Sequence, residues 1–188
     1  MAETHAHTAI DLDAWLPDPE IVTRHRRAAR AGPDALWAAA RGVRMDQTRT
    51  IGHLVRWRIP GVSPSQTFMQ LLAEDPFTVL DEGEHHSISG LCGRIWTLQR
   101  DYARLDGPDD FTAWNAPRTV RVLFAHWVTA SPDGTSTLHS EARVGATDRL
   151  ATMRLRALWL AVGPFERLIG AEPLALAATR AEAGSRTR

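Results

Sequence analysis

The chain has 188 residues, with 22 basic and 22 acidic side chains and a formal net charge of zero at pH 7. That length suits one domain with a substantial core and is short for two, and the charge balance disfavours nucleic-acid binding through a broad basic surface. Every basic residue is arginine, which excludes lysine Schiff-base chemistry and a phosphate-loop lysine. The single cysteine, Cys92, forms no internal disulfide, which points to a cytoplasmic protein.

Residues 1–17 carry acids and no apolar h-region, so they read as a flexible leader rather than a signal peptide. Residues 18–182 read as a single domain and 183–188 as a frayed tail. A first strand is expected over 21–30, with enough arginine to make it half-exposed or an edge strand. Gly32-Pro33-Asp34 then turns the chain into a helix over 35–41. There Pro33 suits the first turn, Asp34 the positive end of the dipole and Gly42 the stop. Asp46 is a plausible N-cap for a second helix over 47–58, whose apolar side is Ile51, Leu54 and Val55 with Trp57 flanking. A short amphipathic piece follows around Phe68, Leu71 and Leu72.

From Phe77 the period becomes strand-like. Two runs separated by Glu82-Gly83-Glu84 predict a hairpin, its second arm spanning 86–98. Residues 99–110 read as a loop, with a short strand over 111–114. The strongest strand is 118–129, with Val120, Val122, Phe124, His126 and Val128 on one face. Ser131-Pro132-Asp133-Gly134 turns it into a partner over 135–144, whose faces are Leu138, Ser140, Ala142 and Val144 against His139, Glu141 and Arg143. Thr147 or Asp148 caps a long helix over 148–182, with an apolar stripe through Leu150, Met153, Ala157, Leu158, Ala161, Phe165, Leu168 and Ile169. Arginines interrupt it too often for a membrane span, and Gly163-Pro164 predicts a kink or restart. This order gives α+β with a curved antiparallel sheet, short helices between the first and second strands, and a long C-terminal helix.

The order, together with RHRRAARAGPDALWAAAR (24–41), LLAEDP (71–76), GLCGRIW (90–96), VRVLFAHWV (120–128), LHSEARVGATD (138–148) and RLRALWLAVGPFERLIG (154–170), resembles the START-like, or SRPBCC, helix-grip superfamily, which includes polyketide cyclase/dehydrase-type proteins. The likeness is greatest to a bacterial branch in which a GR-aromatic-W strand, a TETR-like strand and a helix with a Pro-Gly element occur together. The chain departs from it with Ser-Glu-Ala-Arg at 140–143 and with Gly163-Pro164 in inverted order. The resemblance implies one START-like domain over 18–182 with a deep cavity between sheet and terminal helix. Its members bind lipids, sterols, polyketides or other apolar molecules, and a minority catalyse reactions there. No superfamily-wide catalytic motif transfers to a residue here.

Several residues carry competing readings. His85-His86 offers metal ligands, but adjacent strand residues point to opposite faces and the pair flanks a turn, so no metal is expected. His126 is either a core histidine bonded to a carbonyl or a cavity group that orients a ligand or acts as acid/base. Arg94 and Trp96 with His139, Glu141 and Arg143 form either a network gripping a polar ligand head or a structural ion-pair ladder. Cys92 is either a small buried hydrophobe or a thiol activated by arginine. GxGxxG, GxSxG and HExxH are absent, and no cofactor is expected.

The expected ligand-binding set is Leu54, Trp57, Arg94, Trp96, Trp114, His126, Glu141, Leu155 and Trp159, since tryptophans near a cavity suit an aromatic or polycyclic guest. The leading functional expectation is binding of a small apolar or aromatic molecule, lipid or polyketide-like, by a monomer or homodimer without membrane insertion. The alternatives are a cyclase/dehydrase-type enzyme using His126, and a non-catalytic interaction protein with a collapsed core.

Overall fold

In the computed structural model, which describes residues 10–58, 61–97 and 99–185, the side chains at 54, 57, 58 and 164–169 lie outside the description. The chain order is β1 (Ile21–Ala29), α1 (Pro33–Arg41), a 3-10 turn (Met45–Gln47), α2 (Ile51–Arg58), α3 (Phe68–Leu72), β2 (Thr78–Gly83), β3 (His86–Gly93), β4 (Tyr102–Ala103), α4 (Pro108–Ala113), β5 (Val120–Ala130), β6 (Ser136–Ala146) and α5 (Arg149–Ser185). The strands form one antiparallel sheet in the order β1-β6-β5-β3-β2, with β4 beside the end of β3. With α5 laid across one face and α1–α3 between β1 and β2, this is the helix-grip arrangement. No helix among the described residues is long and apolar enough to cross a membrane.

Local chemistry explains most boundaries. Pro33 occupies the first turn of α1, and at its C-terminal end the Gly42 N–H donates to the Ala38 and Ala39 carbonyls and the Val43 N–H to the Ala40 carbonyl. Thr67 and Gln70 form a reciprocal capping box on α3: Gln70 N–H donates to Thr67 Oγ1 at 3.1 Å, and Thr67 N–H to Gln70 Oε1 at 2.9 Å. Asp148 caps α5 by accepting from Ala151 N–H at 2.7 Å.

The expected stripe on α5 needs correction where its side chains are described; Phe165, Leu168 and Ile169 lie outside the described side chains. Ala151 and Leu155 are buried, whereas Leu150 and Met153 are 43% and 68% exposed. Leu174, Ala177, Ala178 and Ala181 then pack the far end of α5 against α1 and the sheet. The helix is assigned without interruption through Gly163-Pro164, so no restart occurs there.

Other expectations need correction. The second helix begins at Ile51, after a 3-10 turn, rather than at 47. The strand expected over 111–114 is the end of helix α4, because Pro108 opens a helix and Asp109 and Asp110 favour its positive end. Phe111 on α4 is fully buried, and its ring sits where a β-carbon at position 90 would be, so the space left by Gly90 admits it. The expected leader is packed over its second half: Leu12 and Leu16 are 5% and 1% exposed in the core of the sheet's outer face. Leu16 lies in the space left by Gly145, and its carbonyl accepts from Arg143 Nη1 at 3.2 Å.

Candidate ligand cavity

Between its two anchored ends α5 stands off the sheet, and the space beneath it is a cavity of about 450 Å³, within the range of roughly 300–1,000 Å³ found for small-molecule sites. Its floor is the inner face of the sheet: Ile21 and Thr23 of β1, Val122 and Phe124 of β5, and Leu138 and Val144 of β6. Its roof is Trp159, Val162, Gly170, Pro173 and Leu174 of α5, and one side is closed by Ile51, Val55, Phe68 and Leu72 from α2 and α3. Among the described lining residues none is Asp, Glu or Arg, and the polar ones are Thr23, His25, His126 and Ser140.

Three of those four form a single rung. Strand register sets His25 opposite Ser140 across β1–β6, and Ser140 opposite His126 across β6–β5. Directly opposed residues of an antiparallel pair share a face, so one row of hydrogen-bonding groups crosses a floor that is apolar but for Thr23. Ser140 Oγ lies 3.1 Å from His126 Nε2, and His126 Nδ1 is buried without a hydrogen-bond partner among the described residues. Burial pushes the His126 pKa from 6.5 down to about 4, so the ring is neutral at pH 7. The His25 ring occupies the space a β-carbon at Gly170 would need, which lets α5 approach β1 there.

The expected site residues divide sharply. His126 and Trp159 line the cavity. Leu155 is 1% exposed and packs with Ile21, Val122 and Val144 beside the cavity, and Trp96 packs onto the same cluster. Arg154 stands 5.9 Å above the Trp96 ring. The side chains of Leu54 and Trp57 lie outside the described residues. Trp114 and Glu141 are corrections, because both belong to the outer face. Trp114 packs beside Leu12 and Phe111 and donates Nε1–H to Thr119 Oγ1 at 2.9 Å. Glu141 is 5% exposed and accepts from Arg24 Nε at 2.8 Å and Arg143 Nε at 2.7 Å, while Arg143 also reaches Asp13.

Arg94 is no part of that network. β3 pairs with β5 rather than β6 and ends at Gly93, and Arg94 Nε lies 2.8 Å from Asp101 Oδ2. His139 stacks on Trp127 at 4.9 Å between ring centroids and bonds Thr129. Outer-face charges thus form a structural network that fastens the segment around Asp13 to the sheet. Cys92 is fully buried, and desolvation raises its thiol pKa to about 12, so it is a small hydrophobe and no thiolate nucleophile. His85 bonds Asp34 at 2.7 Å and His86 bonds Asp81 at 3.1 Å. Asp34, Glu84 and His85 bring potential ligand atoms within 4.8 Å of one another, with both carboxylates exposed.

Residue-level reading missed His25, Ser140 as a site group, and Glu172. The signal for the first two was the alternation of β1 and β6, which sets His25 beside Thr23 and Ser140 between Leu138 and Ala142. Glu172 of α5 accepts backbone N–H bonds from Arg49, from Thr50 at 3.1 Å and from Ile51 at 3.4 Å, and so caps α2 from across the cavity's rim. No local pattern announces a cap supplied by a residue more than a hundred positions away.

No family model matches the chain, and no curated protein does. Among solved structures, norcoclaurine synthase from Thalictrum flavum is 14% identical with a TM-score of 0.39, the alignment covering 100% of this chain and 98% of that one. A hypothetical protein from Helicobacter pylori is 6% identical with a TM-score of 0.40, covering 96% and 99%. The Zhui aromatase/cyclase from a Streptomyces species is 14% identical with a TM-score of 0.29, covering 89% and 96%. At these levels of likeness the helix-grip assignment rests on the strand order and helix placement described above.

Proposed function

We propose that the chain binds a small apolar or aromatic molecule, lipid or polyketide-like, between the sheet and α5. One observation supports this above the others: a cavity of about 450 Å³ under α5 whose described walls are apolar apart from one rung and Thr23. Each square ångström of ligand hydrocarbon buried there contributes about 25 cal/mol, so the affinity comes from the walls and the orientation from the rung. The reading is tested by native mass spectrometry and tryptophan-fluorescence titration against lipids and aromatic polyketides. Stoichiometric binding that Trp159→Phe perturbs supports it, and failure of every class to bind counts against it.

The enzyme reading draws on one observation, the cavity-facing His126. Its pKa of about 4 argues against it as the general base, because acid/base catalysis is most efficient when the pKa lies near the working pH. A neutral imidazole bonded to Ser140 is better suited to holding a group in place.

A further inference from the structure

The proton arrangement of the rung restricts what the cavity accepts, and this inference rests on the cavity-binding reading above. His126 has one partnered nitrogen, Nε2, at Ser140 Oγ, and one buried nitrogen, Nδ1, that has no partner among the described residues. A proton on Nδ1 would be a buried N–H donor with no acceptor, which folded proteins avoid more strictly than an under-used acceptor. The proton therefore sits on Nε2 and is donated to Ser140 Oγ. Ser140 Oγ accepts that bond on one lone pair, so its own O–H remains available as a donor, and Ser140 lines the cavity. Around it, the described lining holds no Asp, Glu or Arg to neutralise a buried charge, and an uncompensated ion in an apolar site is strongly disfavoured.

From this geometry we infer that the occupant is an uncharged molecule whose carbonyl, ether or hydroxyl oxygen accepts a hydrogen bond from Ser140, its hydrocarbon body lying against Phe124 and Trp159. Carboxylates and amines of the same skeleton are disfavoured, since the described lining holds no Asp, Glu or Arg as a counter-ion. The low pKa of His126 is consistent with this, since the ring supplies no cation to an acid.

The experiment is calorimetric titration of the full chain with fluorene, fluorenone and fluorene carboxylate, at mildly alkaline pH where free imidazoles are uncharged. Fluorenone is expected to bind about tenfold more tightly than fluorene, the worth of one hydrogen bond, and the carboxylate at least about tenfold more weakly than fluorenone. Ser140→Ala should bring fluorenone to the level of fluorene, and Ser140→Thr should restore the difference. Equal binding of ketone and hydrocarbon by the wild-type chain, or carboxylate binding as tight as ketone binding, overturns the inference while leaving cavity binding intact. A ketone preference that survives Ser140→Ala also overturns it. If no member of the series binds, the cavity-binding reading fails and the inference falls with it.

Discussion

His126 ties the cavity to the stability of the chain. Its folded pKa of about 4 lies below the ordinary 6.5 because burial disfavours the charged ring. Between those values the unfolded chain binds a proton that the folded chain does not, so stability rises with pH across that window and falls as the pH drops through it. The gap corresponds to about 3 kcal/mol at its limit. Urea denaturation at about pH 7 and about pH 4.5 should show His126→Phe losing less stability on acidification than the wild type, by about 2 kcal/mol. Equal losses in the two proteins would mean that the ring is not buried as described. The role of this residue was half legible beforehand: alternation placed it on the face of Val122 and Phe124, but its hydroxyl partner lies on another strand.

Among the elements, α2 takes its N-terminal cap partly from Thr48 Oγ1, which accepts from Gly52 N–H at 2.9 Å, and partly from outside itself. Its first turn has no acidic residue of its own, and Glu172 of α5 supplies the missing acceptor to three successive N–H groups. Burial, the largest single influence on that carboxyl, raises its pKa, yet the three backbone bonds together with Arg49 hold it below the usual carboxylate value. The cap is therefore complete at neutral pH and is lost as the pH falls through the folded pKa. Glu172→Ala should cost about 1 kcal/mol in thermal or urea unfolding. It should also raise amide exchange at Arg49, Thr50 and Ile51 well above that of α1. Unchanged exchange there would mean that α2 does not rely on α5. The periodicity of 47–58 showed a helix but put its start several residues early, because this cap is long-range. Over 111–114 the start signal, Pro108-Asp109-Asp110, is local, but the apolar Phe111 and Trp114 fit a short strand as well as a helix end.

At the scale of the whole molecule the sheet is covered on both sides, and the two covers differ in kind. The inner cover is α5, standing off its floor and leaving a cavity. The outer cover is close-packed: Leu12, Leu16, Leu105 and Phe111 fill it, and a buried Glu141–Arg143 pair fastens it through Asp13 and the Leu16 carbonyl. Strand order, hairpins and the terminal helix were legible because alternation and turn residues are local signals. The outer cover was not, because an acidic segment such as 11–18 resembles a loose tail until its two leucines find the sheet. Leu16→Ala should cost about 3 kcal/mol of unfolding free energy, measured by urea denaturation, whereas a loose leader would register almost none of it. Trp114 belongs to this outer cover rather than to the cavity because aromatic bulk serves either face of a sheet, and composition does not say which.

The free edge of this sheet carries a further consequence. β1 is the terminal strand on one side, and its pairing groups away from β6 meet no strand among the described residues. It carries Arg24, Arg26 and Arg27 along its nine residues. Two copies aligned edge to edge would bring these guanidinium groups together with few acids between them, and clustered charge is a recognised deterrent to such self-templating. Arg24, which Glu141 partly neutralises, with Arg26 and Arg27 thus sets like charge along this edge, which disfavours the addition of a strand from a second copy.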